Sequence, residues 1–430
     1  MRKFYYLILL SAAAYTSTAQ TPDTIFNAKS VEAVEQSLAS DAMRGRATFT
    51  PDIERAADYI ESHFKAAGLQ TWNGSASYRQ PFSMIRAKLL SVSGNLDGQT
   101  LTTDNTVILS STEHIKLDDH GAVKVSTIKA GIDLRSATQA LLADKQNHVV
   151  LVDTSFAKSF SRLNRMAGQQ FSSPYTNIFV LTMASGSRFT IVAEQEIHSS
   201  SLANVVGILP GTGKDKDQFV IFSGHYDHLG VRPPKDPGGD SIYNGANDDA
   251  SGTTAVILLA KYFAQQHNNN RTLVFAAFTA EEIGEFGSQY FSGQFDPAKV
   301  AAMFNIEMIG SPSKWGENSA FITGYERTDM GKILEKNLEG SSFHFYPDPY
   351  PQQNLFYRSD NASLAKKGVP AHTISTTQID IDKTYHQPTD EVSTLDLKNM
   401  AEIIRAIALS SRSIIAGKDT PSRVDTSQLR

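Results

Sequence analysis

From Leu202 onward the chain alternates short, nearly continuous apolar runs with longer stretches whose apolar residues recur at helical spacing. No other feature constrains the fold as strongly. The runs 205–209, 219–223, 272–278, 302–306 and 372–375 lack the polar alternation of a half-exposed strand, so each reads as a strand buried on both faces. The patterns 253–265, 330–338 and 395–415 have the length and period of helices. Strands of this kind with helices between them predict an α/β fold over 201–416, a mixed, mainly parallel sheet sandwiched by helices.

Upstream, 31–38 and 53–67 show helical spacing that ends at Gly68, and 20–90 is read as a helical N-terminal part of the same domain. Over 91–200 the texture changes to short β-rich runs, 101–109, 123–128 and 149–152 among them, which predicts an inserted β-rich lobe. The polar tail 417–430 is expected to be loose. Arg2 and Lys3 precede the apolar run 4–14, and Ser17, Thr18 and Ala19 follow it, the pattern of a signal peptide over 1–19. That run is shorter than the roughly 20 residues of a membrane-spanning helix. The expectation is therefore an exported protein, periplasmic or extracellular, with no stable membrane insertion after cleavage. With no cysteine, disulfides, thiolate metal sites and a cysteine nucleophile are all excluded. A net charge of -5 with no Lys/Arg cluster argues against a nucleic-acid partner.

In open α/β sheets ligands gather beyond the carboxyl ends of the strands, so the polar residues that follow each strand were compared. "GHYDHLG" supplies His225, Asp227 and His228; "TAEEIGEFGS" supplies Glu281 and Glu282; "NIEMIG" supplies Glu307. "YNGANDDASG" sets Asp248 and Asp249 side by side before a helical pattern, and "YHQPTDE" places His386 and Asp390 in a loop before the last helix. Each has a plainer reading. Asp248 and Asp249, or Glu281 and Glu282, could open a helix, where acids are favoured by the dipole, and His386 could sit in a surface turn. Glu307 is harder to dismiss, because an unpaired carboxylate at the end of a buried strand costs several kcal/mol unless a cation meets it. No Arg or Lys stands in these motifs, whereas a metal would satisfy all of them. Imidazole and carboxylate donors without thiolate suit zinc and also admit manganese or cobalt. His225, His386 and several acids exceed what one catalytic zinc requires, so a two-metal site with Asp248 as the shared ligand fits the count. In that reading Asp227 takes the other N–H of His225 and fixes its tautomer.

Together, in this order, these motifs resemble the M28 peptidases, the zinc aminopeptidase family typified by secreted bacterial leucyl aminopeptidases. The resemblance extends from about Asp41 to Ala416 and includes the lead-in "MRGRATFTPDIERAADYIESHFKAAGL". It implies the phosphorylase/hydrolase-like fold of zinc-dependent exopeptidases and two bound Zn2+. In the inserted lobe only "VVLVD" is similar to a protease-associated (PA) domain. By resemblance, His225, Asp248 and Glu307 bind one zinc, Glu282 and His386 complete the second with Asp248, Glu281 is the general base and Asp227 supports His225. Asp249 shapes the turn after Asp248. Glu307 stands where the family more often has Asp, and Asn361 of "RSDNASLAKKGVPA" replaces a His frequent after Ser-Asp. His228 is left as a structural or pocket residue, and Tyr357 and Arg358 are read as substrate contacts.

The implied activity is hydrolysis of N-terminal residues from peptides. Carboxypeptidase or dipeptidase action would share the same metal core. Glutaminyl cyclase, a single-zinc relative, would not require His225 and Glu307. A non-catalytic binding protein of this fold would be marked by lost ligands, and every ligand position here holds a competent residue. A serine hydrolase is disfavoured because there is no G-x-S-x-G elbow.

Overall fold

The computed structural model describes residues 22–429 with the exception of Lys235, so the signal peptide expected over 1–19 lies outside the described residues. Two compact units are present, one formed by Met1–Gln80 with Asn204–Arg430 and the other by Pro81–Ala203. Among the described residues no helix is long and apolar enough to cross a membrane.

The larger unit is built on a sheet of the end, from Asn204, of β1 (Phe189–Leu209), with β2 (Phe219–His225), β3 (Thr272–Phe278), β4 (Val300–Ile306), β5 (Ser319–Ile322), β6 (His344–Pro347) and β7 (Ala371–Ser375). Spatial order is β6-β5-β7-β4-β2-β3-β1. Neighbours run parallel except where β5 meets β7 and where the end of β1 meets β3. The mixed, mainly parallel α/β sheet expected from the alternation is therefore observed. Strand β3 is buried along its whole length, which is why its sequence carries no polar alternation. Its period of two appears instead in which core each residue joins. Leu273, Phe275 and Ala277 face one helical layer, and Val274, Ala276 and Phe278 face the other.

The first layer holds α1 (Ala28–Leu38), α2 (Pro51–Ala66), α3 (Ser251–Gln266) and α4 (Leu397–Ser410). In α3 only Lys261 and Gln265 are exposed, as expected for a helix apolar nearly all round. Phe222 seats it on the centre of the sheet, with ring centroids 5.5 Å from Phe263, 5.7 Å from Phe275 and 5.0 Å from Phe304. This packing fixes the start of α3 beside the carboxyl ends of β2 and β4.

In the smaller unit three parallel strands, Lys124–Ile128, His148–Val152 and Asn177–Leu181, are joined by antiparallel Thr106–Leu109. This unit starts at Pro81, ten residues earlier than the expected lobe, and it is less purely β than its sequence texture suggests. Helix Leu134–Ala143 lies between two of the parallel strands in sequence, and its Leu134, Ala137, Leu141 and Leu142 pack on a core of Val107, Val150 and Phe179. That spacing is helical, but it is short and flanked by strands.

The segment after Gly417, expected to be loose, is held down. Val424 is buried, and Arg423 donates to the carbonyls of Val300 at 2.8 Å and Pro297 at 3.0 Å. Composition marks such a tail as polar without showing that an arginine in it meets unpaired carbonyls.

Candidate metal centre

Each functional side chain stands at the carboxyl end of a strand or in the loop beyond it. His225 closes β2, Glu307 follows β4, Glu281 and Glu282 follow β3, and His386 lies between β7 and α4. Glu281 and Glu282 do not open a helix, because the next one begins only at Phe286. Nor does Asp248 lie in the first turn of α3, since its φ of -110° and ψ of 96° are not helical.

The paired aspartates divide the work. Asp249 turns inward and is fully buried, and its carboxylate accepts the backbone N–H groups of His225 (3.0 Å), Gly252 (2.9 Å) and Met308 (3.1 Å). It thereby ties β2, α3 and the residues after β4 together around the site. Gly252 is required there, because a Cβ would come within 2.0 Å of the Ile306 carbonyl and 2.4 Å of the Asp249 carboxylate. Asp248 turns the other way. Its Oδ1 lies 3.2 Å from His225 Nε2 and its Oδ2 lies 3.2 Å from His386 Nε2. Asp390 fixes the backbone that carries it, accepting from the N–H groups of Asn247 (2.8 Å) and Asp248 (3.1 Å).

Two donor sets result, His225 with Asp248 and Glu307, and His228 with Asp248 and Glu282. In each set the donor atoms lie within 4.8 Å of one another, and Asp248 belongs to both. His386 Nε2 approaches the second set, 3.2 Å from Glu282 and 3.2 Å from Asp248. Donors about 2.0–2.2 Å from one ion lie no more than about 4.4 Å apart, and the 3.2 Å separations of His225 from Asp248 and of His386 from Asp248 and Glu282 fall inside that span. Ser359 Oγ donates to Glu307. Glu281 Oε2 is 3.9 Å from His225 Nε2 and belongs to neither set.

Asp227 differs from the expectation. Its backbone carbonyl, 3.1 Å away, accepts from His225 Nδ1, while its carboxylate is 3.8 Å from that nitrogen. The carboxylate accepts instead from the backbone N–H groups of Glu281 (3.1 Å) and Glu282 (3.4 Å). Two residues of separation bring both the carbonyl and the carboxylate of Asp227 near the ring, and the carboxylate is drawn to the two unpaired amides of the next loop. Either way His225 presents Nε2 to the site.

Burial dominates the electrostatics. It pushes Glu307 up to about 7 and Asp227 up to about 6, and it holds Asp249 and Glu281 well above the carboxylate range. Burial opposes charge on His225 and His386 as well, yet contact with Asp248 raises His225 well above its usual value. Asp248 and Glu282 raise His386 to about 10. Burial opposes charge on Asp248 and Glu282 too, yet the imidazoles in contact with them hold Asp248 well below and Glu282 below the usual carboxylate range, so in this state protons on the imidazoles stand where divalent cations would bind. His225 Nε2, both ring nitrogens of His228 and Glu282 Oε1 are buried without a hydrogen-bond partner. Unmet donors and acceptors converging on one point fit a metal centre better than a closed hydrogen-bond network.

Several contributors were not singled out from sequence. Arg46, fully buried, donates to the carbonyls of Leu38 (2.7 Å), Tyr226 (2.8 Å), Asn244 (2.6 Å) and Gly245 (2.9 Å). It clamps the loops on either side of the donor sets. Tyr385 stacks on His386 with centroids 4.0 Å apart, and burial raises its phenol so that it stays an O–H donor. Asn361 is a buried structural residue, bonded to the carbonyls of Phe356 (3.1 Å) and Ala371 (3.3 Å) and to the Thr373 hydroxyl (2.8 Å). Tyr357 is half-buried against Phe356, with Arg327 over its ring at 5.6 Å. Arg358 is exposed, 3.5 Å from the Gln353 carbonyl, and its charge reaches Tyr385. A cleft of about 270 Å³ borders Asn247, lined also by Ser311, Gln378, Ile381, Asp382 and Leu395.

The fold is an α/β sheet whose strand ends gather two candidate carboxylate and imidazole donor sets around one shared aspartate. Residues 204–410, the stretch that carries every donor, match the model of peptidase family M28. The fold is similar to that of an aminopeptidase from Aneurinibacillus sp. strain AM-1, with 16% identity, 91% of this chain and 96% of that one covered, and a TM-score of 0.54. It is likewise similar to a zinc aminopeptidase from Bacillus subtilis, with 14% identity, coverage of 94% and 97%, and a TM-score of 0.54. At these identities the likeness is one of fold.

Among curated proteins, a probable zinc metalloprotease of Pyrenophora teres f. teres is 38% identical over 120 residues, 27% of this chain and 25% of that one. Leucine aminopeptidase 2 of Trichophyton rubrum is 26% identical over 245 residues, 50% of this chain and 46% of that one. The chain thus spans less than half the length of the curated relatives it matches.

Proposed function

We propose that the chain is an exported dinuclear zinc exopeptidase that removes N-terminal residues from peptides. The observation that carries this reading is the sharing of Asp248 by two donor sets at the strand ends, which is the ligand pattern of a two-metal hydrolytic site. The match of residues 204–410 to the M28 peptidase model and the fold shared with two aminopeptidases support it. His225, Asp248 and Glu307 would hold one ion, and Asp248, Glu282 and His386 the other. Zinc suits these donors, and manganese or cobalt would also be accepted.

When bound, the metal pair supplies Lewis-acid polarisation of the scissile carbonyl and lowers the pKa of water from about 15.7 toward neutrality. Glu281, outside both donor sets, accepts the proton of the attacking water and returns it to the leaving amine. Asp227 holds the backbone of Glu281 and so sets where its carboxylate stands. Tyr385, protonated and stacked on His386, is an O–H donor for the carbonyl oxygen. Tyr357 and Arg358 are the proposed substrate-side residues, a role that rests on the charge of Arg358 reaching Tyr385. The smaller unit is proposed as a PA-like lobe, and the leader over 1–19 as a signal for export to the periplasm or beyond.

The test is a mass-spectrometric time course on free peptides and their N-acetylated twins, with and without chelator. Stepwise loss of N-terminal residues from the free peptides only, abolished by chelator, is expected. Cleavage from the carboxyl end would overturn the substrate reading and leave the metal centre standing. Chelator-resistant cleavage would overturn the metal reading.

A further inference from the structure

Glu35, in α1, is a fully buried carboxyl with no role so far, and neither of its oxygens has a hydrogen-bond partner. A buried acid in that state is costly, and burial pushes Glu35 up to about 8. The cation that acts on it is the Arg46 guanidinium, itself fully buried. All four hydrogen bonds of Arg46 end on backbone oxygens, those of Tyr226 beside His225, of Asn244 and Gly245 ahead of Asp248, and of Leu38. Leu38 is the last residue of α1 and stands three after Glu35 on the same buried face, so one turn of helix brings the carboxyl to the guanidinium.

Other groups facing Glu35 do not pair with it. From α3 the Thr254 hydroxyl is close enough to favour the carboxylate but lacks hydrogen-bond geometry, and Asp390, in the loop before α4, disfavours it. The Tyr59 phenol of α2 feels the charge of Glu35. Helix α4 packs on α1 as well, but its Arg405 is bound to the Phe26 carbonyl (2.9 Å) and to Asp23 (3.0 Å). The backbone is strained where it delivers the guanidinium. Arg46 has φ of +49°, in the left-handed region that a residue with a β-carbon rarely adopts. A carboxyl and a guanidinium kept only to fill this space could be exchanged for apolar residues of similar volume without loss.

Ionisation of Glu35 changes what Arg46 holds, because a guanidinium binds a carboxylate more strongly than a neutral carbonyl. We propose that Glu35 is a positioning residue that acts through Arg46: uncharged, it leaves the guanidinium on the carbonyls that seat the donor loops, and charged, it draws the guanidinium off them. The inference rests on the metal centre proposed above. The hold on the donor loops is then strongest below about pH 8 and weakens above it. Stability follows the same proton. The folded-state value lies above the ordinary 4.5, so the folded chain binds the proton more tightly, and stability is lost as pH rises from there toward about 8.

The test compares the full chain with Glu35→Gln, whose amide stands in for the uncharged carboxyl at every pH. For the metal-free proteins, thermal midpoints close together at about pH 5 and separated at about pH 9, with the variant the more stable, are expected. For the zinc-loaded proteins, two ratios of variant to unsubstituted chain are followed, one for zinc affinity and one for kcat/KM on a single free peptide. Both should be near one at about pH 7 and rise at least about 5-fold by about pH 9.5, since titrations common to the two proteins cancel. Ratios that stay flat while the midpoints separate would leave Glu35 a buried acid without influence on the site, and would overturn the proposal. A gap between midpoints that does not change with pH would overturn it too. If the variant fails to fold, the Arg46 Nε–H resonance of the unsubstituted protein decides. Movement of that resonance with a midpoint near about pH 8 supports the proposal, and a resonance that stays fixed overturns it. A chain that binds no zinc at any pH would overturn the metal-centre reading instead, an outcome told apart by the midpoints, which require no metal.

Discussion

Glu281→Gln is expected to keep both ions and to lower the rate of peptide hydrolysis by roughly 10²- to 10⁴-fold, the usual contribution of a positioned general base. Retention of metal follows from geometry, because Glu281 lies outside both donor sets and its nearest ring nitrogen, His225 Nε2, is 3.9 Å away. The backbone should not move either, since the Glu281 N–H stays bonded to Asp227 whatever the side chain is. Glutamine matches glutamate in shape but cannot accept and return a proton at neutral pH. The checks are metal content by mass spectrometry and single-turnover rate on one peptide. Full activity would remove Glu281 from the base role, and loss of an ion would make it a ligand.

Asp248→Ala is expected to lose both ions together and to have no measurable hydrolysis. One carboxylate faces His225 through Oδ1 and His386 through Oδ2, so its removal opens both sets at once. Residues that only support a metal ligand typically cost 10–100-fold in affinity, and a ligand shared by two ions should cost more than about 100-fold at each. Folding is protected by a different group, because the three backbone N–H bonds that organise the loop are accepted by Asp249. A competitive zinc titration of the folded variant is the check. If it kept one ion at native affinity, Asp248 would serve a single site and the bridging assignment would fall.

These two expectations show what was legible in the sequence. The strands that carry His225, Glu281 and Glu307 announce themselves as apolar runs because they are buried on both faces, and a polar residue at such a run's end has few structural excuses. Strands β5 and β6 were not recognised. Each is four residues long, and with Ser319 or His344 at the start neither run stands out from a loop. The clustering of separate motifs was readable, but the partner of each polar atom was not. Asp227 shows this directly, since spacing alone does not tell whether its carbonyl or its carboxylate meets His225. Arg46 clamps the two central loops from 180 and 199 residues away in sequence, and no local pattern reports a pairing at that distance. His228, three residues after His225, reads as packing in the sequence, and only the fold places its Nδ1 2.7 Å from Glu282 Oε1.

The most direct test of the account is a diffraction measurement on crystals of the zinc-loaded protein at the zinc absorption edge. Two anomalous peaks about 3.5–4 Å apart, with the Asp248 carboxylate between them, are predicted. A single peak, or a pair that does not share Asp248, would contradict a two-metal centre at this site.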